Sequence, residues 1–180
     1  RLLQGDVGAG KTLVAFLSLL IAVEAGGQGA LMAPTEILAR QHLESLAPLG
    51  EAAGLRIALI TGRDKTAERA QKLQALASGE IDIMIGTHAL FQKDVAFNDL
   101  RLAVVDEQHR FGVAQRSRLS AKGKDPHLLV MSATPIPRTL ALLMYGDLDV
   151  SIINELPPGR EAVDTFLVGE SYRARINAFI

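Results

Sequence analysis

Short apolar runs rich in Val, Ile and Leu alternate along the chain with longer segments whose apolar residues recur at helical spacing. The runs Arg1–Leu3, Gly29–Ala33, Ile57–Thr61, Ile81–Ile85, Leu102–Val105 and Leu128–Met131 are predicted strands. They are nearly continuous in apolarity rather than alternating, as expected of parallel strands covered on both faces. Between them, Ile37–Leu49 carries Ala39, Leu43, Leu46 and Ala47, with Gly50 next on the same face, and Thr66–Ser78 carries Ala70, Leu73, Leu76 and Ala77 before Gly79. Both are predicted amphipathic helices, with Thr35 and Thr66 as N-caps whose hydroxyls satisfy an amide left unpaired at the helix start. The most apolar stretch, Leu13–Ala25, contains Ser18 and Glu24 and is shorter than the roughly 20 residues that span a bilayer, so it is predicted as a buried helix. Pro135 and Pro137 permit a helix to start but not to continue through them, which predicts a helix over Arg138–Tyr145 ending at Gly146. Strand and helix in alternation give an α/β fold, a parallel sheet with helices on both faces.

Pro157-Pro158-Gly159-Arg160 interrupts this alternation as a linker. The strand pattern Ala162–Val168 and the helix pattern Glu170–Ile180 are too little for a domain. The expected organisation is therefore a domain over residues 1–156, a linker over 157–161 and the truncated start of a second domain over 162–180. At the other end, Arg1-Leu2-Leu3-Gln4 runs straight into a glycine-rich loop with no leader-like segment, and the chain reads as a fragment of a longer one.

Composition narrows the chemistry more than the fold. At 180 residues and 48% hydrophobic content the chain can bury one good core. It has no cysteine, which removes disulfides, thiolate metal sites and a cysteine nucleophile, so chemistry must use oxygen, nitrogen or a bound ion. A formal net charge of -1 favours no partner class, because the local arrangement of charge decides binding.

Gly5-Asp6-Val7-Gly8-Ala9-Gly10-Lys11-Thr12 matches the phosphate-binding pattern G-x-x-x-x-G-K-T between a short apolar strand and a long apolar helix. Glycines there let successive amide hydrogens face one concavity, and the positive end of the following helix favours phosphates lodged in it. Lys11 would neutralise the β- and γ-phosphates of ATP, and Thr12 would offer its hydroxyl to Mg2+. Asp106-Glu107-Gln108-His109 follows the apolar strand Leu102–Val105 at its carboxyl end, where ligands of open α/β sheets bind. Asp106 is the candidate holder of Mg2+, through water, and Glu107 the candidate base that orients and deprotonates the attacking water. His109 is placed to couple the γ-phosphate region to the next strand end.

Asp-Glu-x-His after a phosphate loop, with Ser132-Ala133-Thr134 after a later strand, resembles the superfamily 2 helicases and translocases. Ala33-Pro34-Thr35-Glu36 and Gly86-Thr87-His88 resemble the single-strand contact motifs of that superfamily. More narrowly, the residues Gly5–Gly8, Asp106–Val113, Ala133–Thr139 and Tyr145–Arg160 are similar to RecG-like DNA helicases. The motor of the transcription-repair coupling translocase is the nearest alternative, against which Gln108 and Leu156-Pro157-Pro158-Gly159 stand. The resemblance implies a RecA-like P-loop NTPase fold and a monomeric, cytoplasmic, nucleoid-associated, ATP-dependent motor that remodels branched DNA. It implies nucleic-acid contacts at Pro34, Thr35, Gly86 and Thr87, and a coupling role for Ser132, Ala133 and Thr134. It also implies further parts in the same chain: a DNA-binding wedge domain and a second motor domain with an arginine finger.

From His109 to Lys124 the chain holds Arg110, Arg116, Arg118, Lys122 and Lys124 and no acid. Such a cluster can track a phosphate backbone or merely keep a face solvated, and Phe111 is the one aromatic interleaved with it. Two other classes compete with a motor: a small-molecule phosphotransferase, which needs an acceptor pocket and a lid, and a nucleotide sensor, which has no need of Glu107 beside Asp106.

Overall fold

The computed structural model describes residues 1–106, 122–123, 125–134, 148–155 and 167–179. Its strands are β1 (Leu2–Gly5), β2 (Gln28–Met32), β3 (Ile57–Ile60), β4 (Ile83–Gly86), β5 (Leu100–Val105), β6 (His127–Ser132) and β7 (Val150–Ile153). They form one sheet in the order β3-β4-β2-β5-β6-β1-β7, and every pairing is parallel. The helices are α1 (Lys11–Glu24), α2 (Glu36–Ala52), α3 (Thr66–Ala77) and a short terminal α4 (Arg173–Phe179), with a 3-10 turn at His88–Phe91.

Side chains of successive strand residues enter opposite layers, as the period of two requires. Leu31, Ile83, Ile85 and Val104 pack with Ala15, Phe16 and Leu19 of α1 and Ala39 and Leu46 of α2. Met32, Met84 and Val105 face the other way, against Leu76 of α3 and Leu90. The expected parallel sheet with a helix layer on each face is what forms, and the six strands predicted between residues 1 and 131 each exist within two residues of their expected bounds.

Several expectations are corrected. Leu13–Ala25 is not buried all round: Ala15, Phe16 and Leu19 are enclosed, whereas Leu13 is 51% and Ile21 67% exposed. A helix lying on one sheet face encloses only a stripe, so uniform apolarity overstated its burial. Thr66 is not a cap. Lys65 holds the extended cap position without a side-chain bond, and its carbonyl accepts the amide of Arg69, so the helix starts one residue earlier than a Thr66 cap requires. Strand β7 was not foreseen, because Val150-Ser151-Ile152-Ile153 is a short edge strand with no fully buried position. It is fixed by pairing with β1, and Arg1 braces it through Ser151 Oγ and Asp149. The expected terminal helix is α4 preceded by a 3-10 turn at Glu170–Tyr172. The helix expected over 138–145 and the linker over 157–161 lie outside the described residues, as does most of the strand expected over 162–168.

One buried side chain joins three elements to the centre of the sheet. Gln28 opens β2 at 4% exposure. Its amide nitrogen donates to the carbonyls of Leu76 (2.9 Å) and Ile81 (2.6 Å), and its oxygen accepts from the amides of Asn98 (2.7 Å) and Asp99 (3.1 Å). An amide side chain has two donor hydrogens and two acceptor lone pairs, so this one is saturated. It satisfies the end of α3 and the approaches to β4 and β5. Gln28→Ala strands those groups in a dry site and is predicted to lower unfolding free energy by about 2–4 kcal/mol, read from the urea midpoint. A loss under about 0.5 kcal/mol would show that these bonds are replaced without cost.

Candidate nucleotide and nucleic-acid edge

All strands being parallel, their carboxyl ends gather on one edge, and nearly every described residue singled out from the sequence sits there. β1 ends at Gly5 and α1 begins at Lys11, so the phosphate loop is the connection between them. The loop closes through the Ala9 amide on the Asp6 carbonyl (3.1 Å), and the Val7 amide bonds Asp6 Oδ1 (2.8 Å). Gly8 and Gly10 have φ of 84° and 88°, a region where a side chain is strained, and Gly10 is the cap residue of α1. Lys11 Nζ donates to the carbonyls of Gly5 and Asp6, both at 2.8 Å, which holds the ammonium over the loop. The first turn of α1 holds no acid to offset the helix's positive end.

Across from this loop stands Asp106. Its amide donates to the Met32 carbonyl at 2.8 Å, which ties the end of β5 to the end of β2. Lys11, Thr12 and Asp106 line one cleft of about 440 Å³ together with Gly8, Gly10 and residues Ser45, Leu46 and Leu49 of α2. Lys11 and Asp106, two of the three residues expected to converge at this edge, thus line one cleft, and the third, Glu107, lies outside the described residues. Asp106 Oδ2 lies 2.7 Å from Nε2 of His42, a pair whose side chains are 12% and 10% exposed. The sequence reading missed His42. Its signal was a polar residue on the buried stripe Ala39, His42, Leu46, Gly50 of an amphipathic helix.

Among the described residues no three His, Cys, Asp or Glu side chains gather to cage a metal. The candidate donors that line the same cleft, the Thr12 hydroxyl and the Asp106 carboxylate, are hard oxygens. That set fits magnesium, which keeps several waters and takes one or two carboxylates plus substrate phosphates. Glu107 and His109 lie outside the described residues.

The candidate nucleic-acid residues occupy the other half of the edge, on β2 and β4. Thr35 is exposed and caps α2, its Oγ1 accepting the Leu38 amide at 3.3 Å. Pro34 and Thr87 are half-buried. Gly86 is buried, and a Cβ there would meet the Ile60 carbonyl oxygen at 2.8 Å, so close packing against β3 accounts for this glycine by itself. Ser132 is buried at the end of β6, its hydroxyl 3.1 Å from Thr134 Oγ1, with Ala133 half-buried and Thr134 exposed. Beyond β3, Asp64 bonds Thr61 and Lys72; burial alone would raise its carboxyl, but those bonds outweigh it and hold the carboxyl below its usual range.

Of the basic cluster, Lys122 is described, and it is occupied. Its Nζ donates to the carbonyls of Gln92 (2.7 Å) and Val95 (2.6 Å), and burial lowers its pKa despite the nearby Asp94. Arg110, Arg116, Arg118 and Lys124 lie outside the described residues.

A parallel sheet with a glycine loop, lysine and carboxylate at one edge is the arrangement of the phosphate-loop α/β folds. Residues 1–143 match the DEAD/DEAH box helicase family, and the chain belongs to that family. The chain is 54% identical to the ATP-dependent DNA helicase RecG of Bacillus subtilis over 180 residues, all of this chain and 26% of the relative. It is likewise 54% identical over 187 residues to RecG of Treponema pallidum, all of this chain and 27% of that protein. Among solved structures, RecG bound to a three-way DNA junction superposes with a TM-score of 0.81 at 46% identity, covering 99% of this chain and 24% of that one. The Pyrococcus furiosus Hef helicase domain shares the fold at a TM-score of 0.63 and 22% identity, over 84% of this chain and 34% of that one. The chain thus spans about a quarter of the length of these curated relatives. No helix among the described residues is long and apolar enough to cross a membrane.

Because its ammonium is spent on two carbonyls, Lys122 is predicted not to contact DNA phosphates. In the full-length protein, Lys122→Ala should leave the slope of log binding constant against log salt concentration for fork DNA unchanged. A slope shallower by about one unit would mean that Lys122 releases a counterion on binding.

Proposed function

We propose that this chain is the ATP-binding motor domain of a RecG-like ATP-dependent DNA helicase, which remodels branched DNA such as stalled forks and recombination intermediates. The observation that carries the reading is the single cleft shared by Lys11, Thr12 and Asp106. Similarity to RecG along the whole chain, and the solution of one such relative on a three-way DNA junction, support branched DNA as the substrate.

In this reading the amides of Gly8 to Thr12 cradle the ATP phosphates, and Lys11 exchanges its bonds to the Gly5 and Asp6 carbonyls for phosphate oxygens. Magnesium, held by Thr12 and through water by Asp106, would supply charge neutralisation at the phosphates. Glu107 accepts the proton of the attacking water, and His109 couples this site to the next strand end. Pro34, Thr35, Gly86 and Thr87 meet the DNA backbone, where small hydroxyls and backbone amides bind phosphates without reading bases. Ser132, Ala133 and Thr134 transmit the nucleotide state. A second motor domain of the same chain contributes an arginine to the transition state, and a wedge domain engages the branch. The full-length protein works as a monomer in the cytoplasm, at the nucleoid.

Two outcomes test this. The 180 residues alone should show little DNA-stimulated hydrolysis, because an arginine supplied from elsewhere contributes a factor of about 10³ or more in related chemistry. Robust turnover by the isolated chain would contradict that dependence. In the full-length protein, Lys11→Ala should weaken both nucleotide binding and turnover, since it removes a charge that touches phosphate in the ground state. Glu107→Gln keeps shape but cannot accept the proton, so binding should survive while hydrolysis falls by roughly 10²-fold or more. Fluorescent-nucleotide titration and phosphate release with fork DNA separate the two. Equal loss of binding in both variants, or normal turnover by Glu107→Gln, would remove Glu107 from its role.

A further inference from the structure

We infer that His42 is a positioning residue for this ATPase: from α2 it fixes the Asp106 carboxylate, and so ties the metal-side acid to the helix that begins at the proposed DNA contact. The inference rests on Asp106 being the acid that holds magnesium.

His42 is the polar member of the buried stripe Ala39, His42, Leu46, Gly50, where an aliphatic side chain would pack without needing a partner. A polar group in such a place costs free energy unless it is bonded. Here the bond goes to Asp106 Oδ2 at 2.7 Å, joining positions 64 residues apart. An ionised carboxylate only accepts, so Nε2 carries the hydrogen. The bond fixes rotation of the carboxylate about Cβ–Cγ, a freedom that a carboxylate must lose if it is to hold a hydrated ion at one point. The amide of Asp106 on the Met32 carbonyl fixes its backbone, and His42 fixes its head.

The helix that carries His42 adds the second part. α2 begins at the Thr35 cap, with Thr35 exposed on the half of the edge that carries the proposed DNA contacts. Its middle turns put Ser45, Leu46 and Leu49 into the wall of the nucleotide cleft. His42 is seven residues from Thr35, about 10 Å along a helix that rises 1.5 Å per residue. A shift of α2 when DNA meets its first turn therefore reaches Asp106 through one hydrogen bond, with no intervening loop to absorb it.

The test uses the full-length protein with His42→Ala, His42→Gln, His42→Leu, Asp106→Asn and the His42→Ala/Asp106→Asn pair. Phosphate release is measured with and without fork DNA across a magnesium titration, and melting temperature is recorded for each variant. Glutamine offers an N–H donor near the position of Nε2, whereas leucine fills the space without one. His42→Ala and His42→Leu should lower DNA-stimulated kcat, and raise the magnesium concentration for half-maximal rate, by about tenfold or more, the usual effect of losing a group that orients a metal ligand. Nucleotide binding without magnesium should stay within about twofold of the parent, because the phosphate loop is untouched. Glutamine should restore most of the rate, and the paired variant should be no slower than Asp106→Asn alone. If alanine does not fold, the glutamine and leucine variants carry the same contrast. Lower melting temperatures with unchanged kcat and magnesium dependence would show that His42 is only structural and overturn the inference, as would fully additive losses in the paired variant. Normal hydrolysis by Asp106→Asn would instead sink the assignment of Asp106 itself.

Discussion

The register between β2 and β5 is the constraint on which the edge depends. Val105 lies opposite Met32, and the next amide, that of Asp106, closes on the Met32 carbonyl at 2.8 Å. A parallel ladder slipped by one residue would turn every side chain of the strand to the other layer. Val104 would leave the α1–α2 layer and Val105 the α3 layer, both of which are dry. Core packing on both faces therefore fixes where the strand stops, and with it the position of the first acid. The acid's place is a consequence of the burial of the two residues before it.

From that point the edge divides. β1, β6 and β5 present the phosphate loop, the Ser132–Thr134 turn and Asp106, while β2, β4 and β3 present Thr35, Thr87 and Thr61. What bridges them is α2, which starts on the second half and lines the cleft of the first. A motor needs such an element, because free energy released at phosphates does nothing to a distant strand of DNA unless some rigid body touches both.

Local patterns in the sequence were sufficient for the phosphate loop. Its residues are consecutive, and Gly8 and Gly10 answer to local backbone geometry, their φ being positive. The acid after β5 was equally legible, since an apolar run that ends in Asp106 can hardly place it elsewhere. Strand β7 was not legible: three half-buried residues and one exposed carry little pattern, and pairing with β1, some 150 residues away, creates the strand. The one-sided burial of α1 was hidden because an apolar sequence does not reveal which stripe faces a sheet. His42 was hidden for a similar reason, as its meaning lies in a partner far along the chain, though a polar side chain on a buried stripe was a sign that one existed. At Lys122, where charge alone left a phosphate contact and a merely solvated face both open, the fold supplies two carbonyl partners.

The most direct measurement of the account is a crystal structure of this chain with magnesium and a non-hydrolysable ATP analogue. The phosphates should lie on the amides of Gly8 to Thr12, with Lys11 Nζ moved off the Gly5 and Asp6 carbonyls onto phosphate oxygens. The ion should sit between Thr12 Oγ1 and the water-bridged Asp106 carboxylate. A nucleotide bound elsewhere, with Lys11 still within 2.8 Å of both carbonyls, would contradict it.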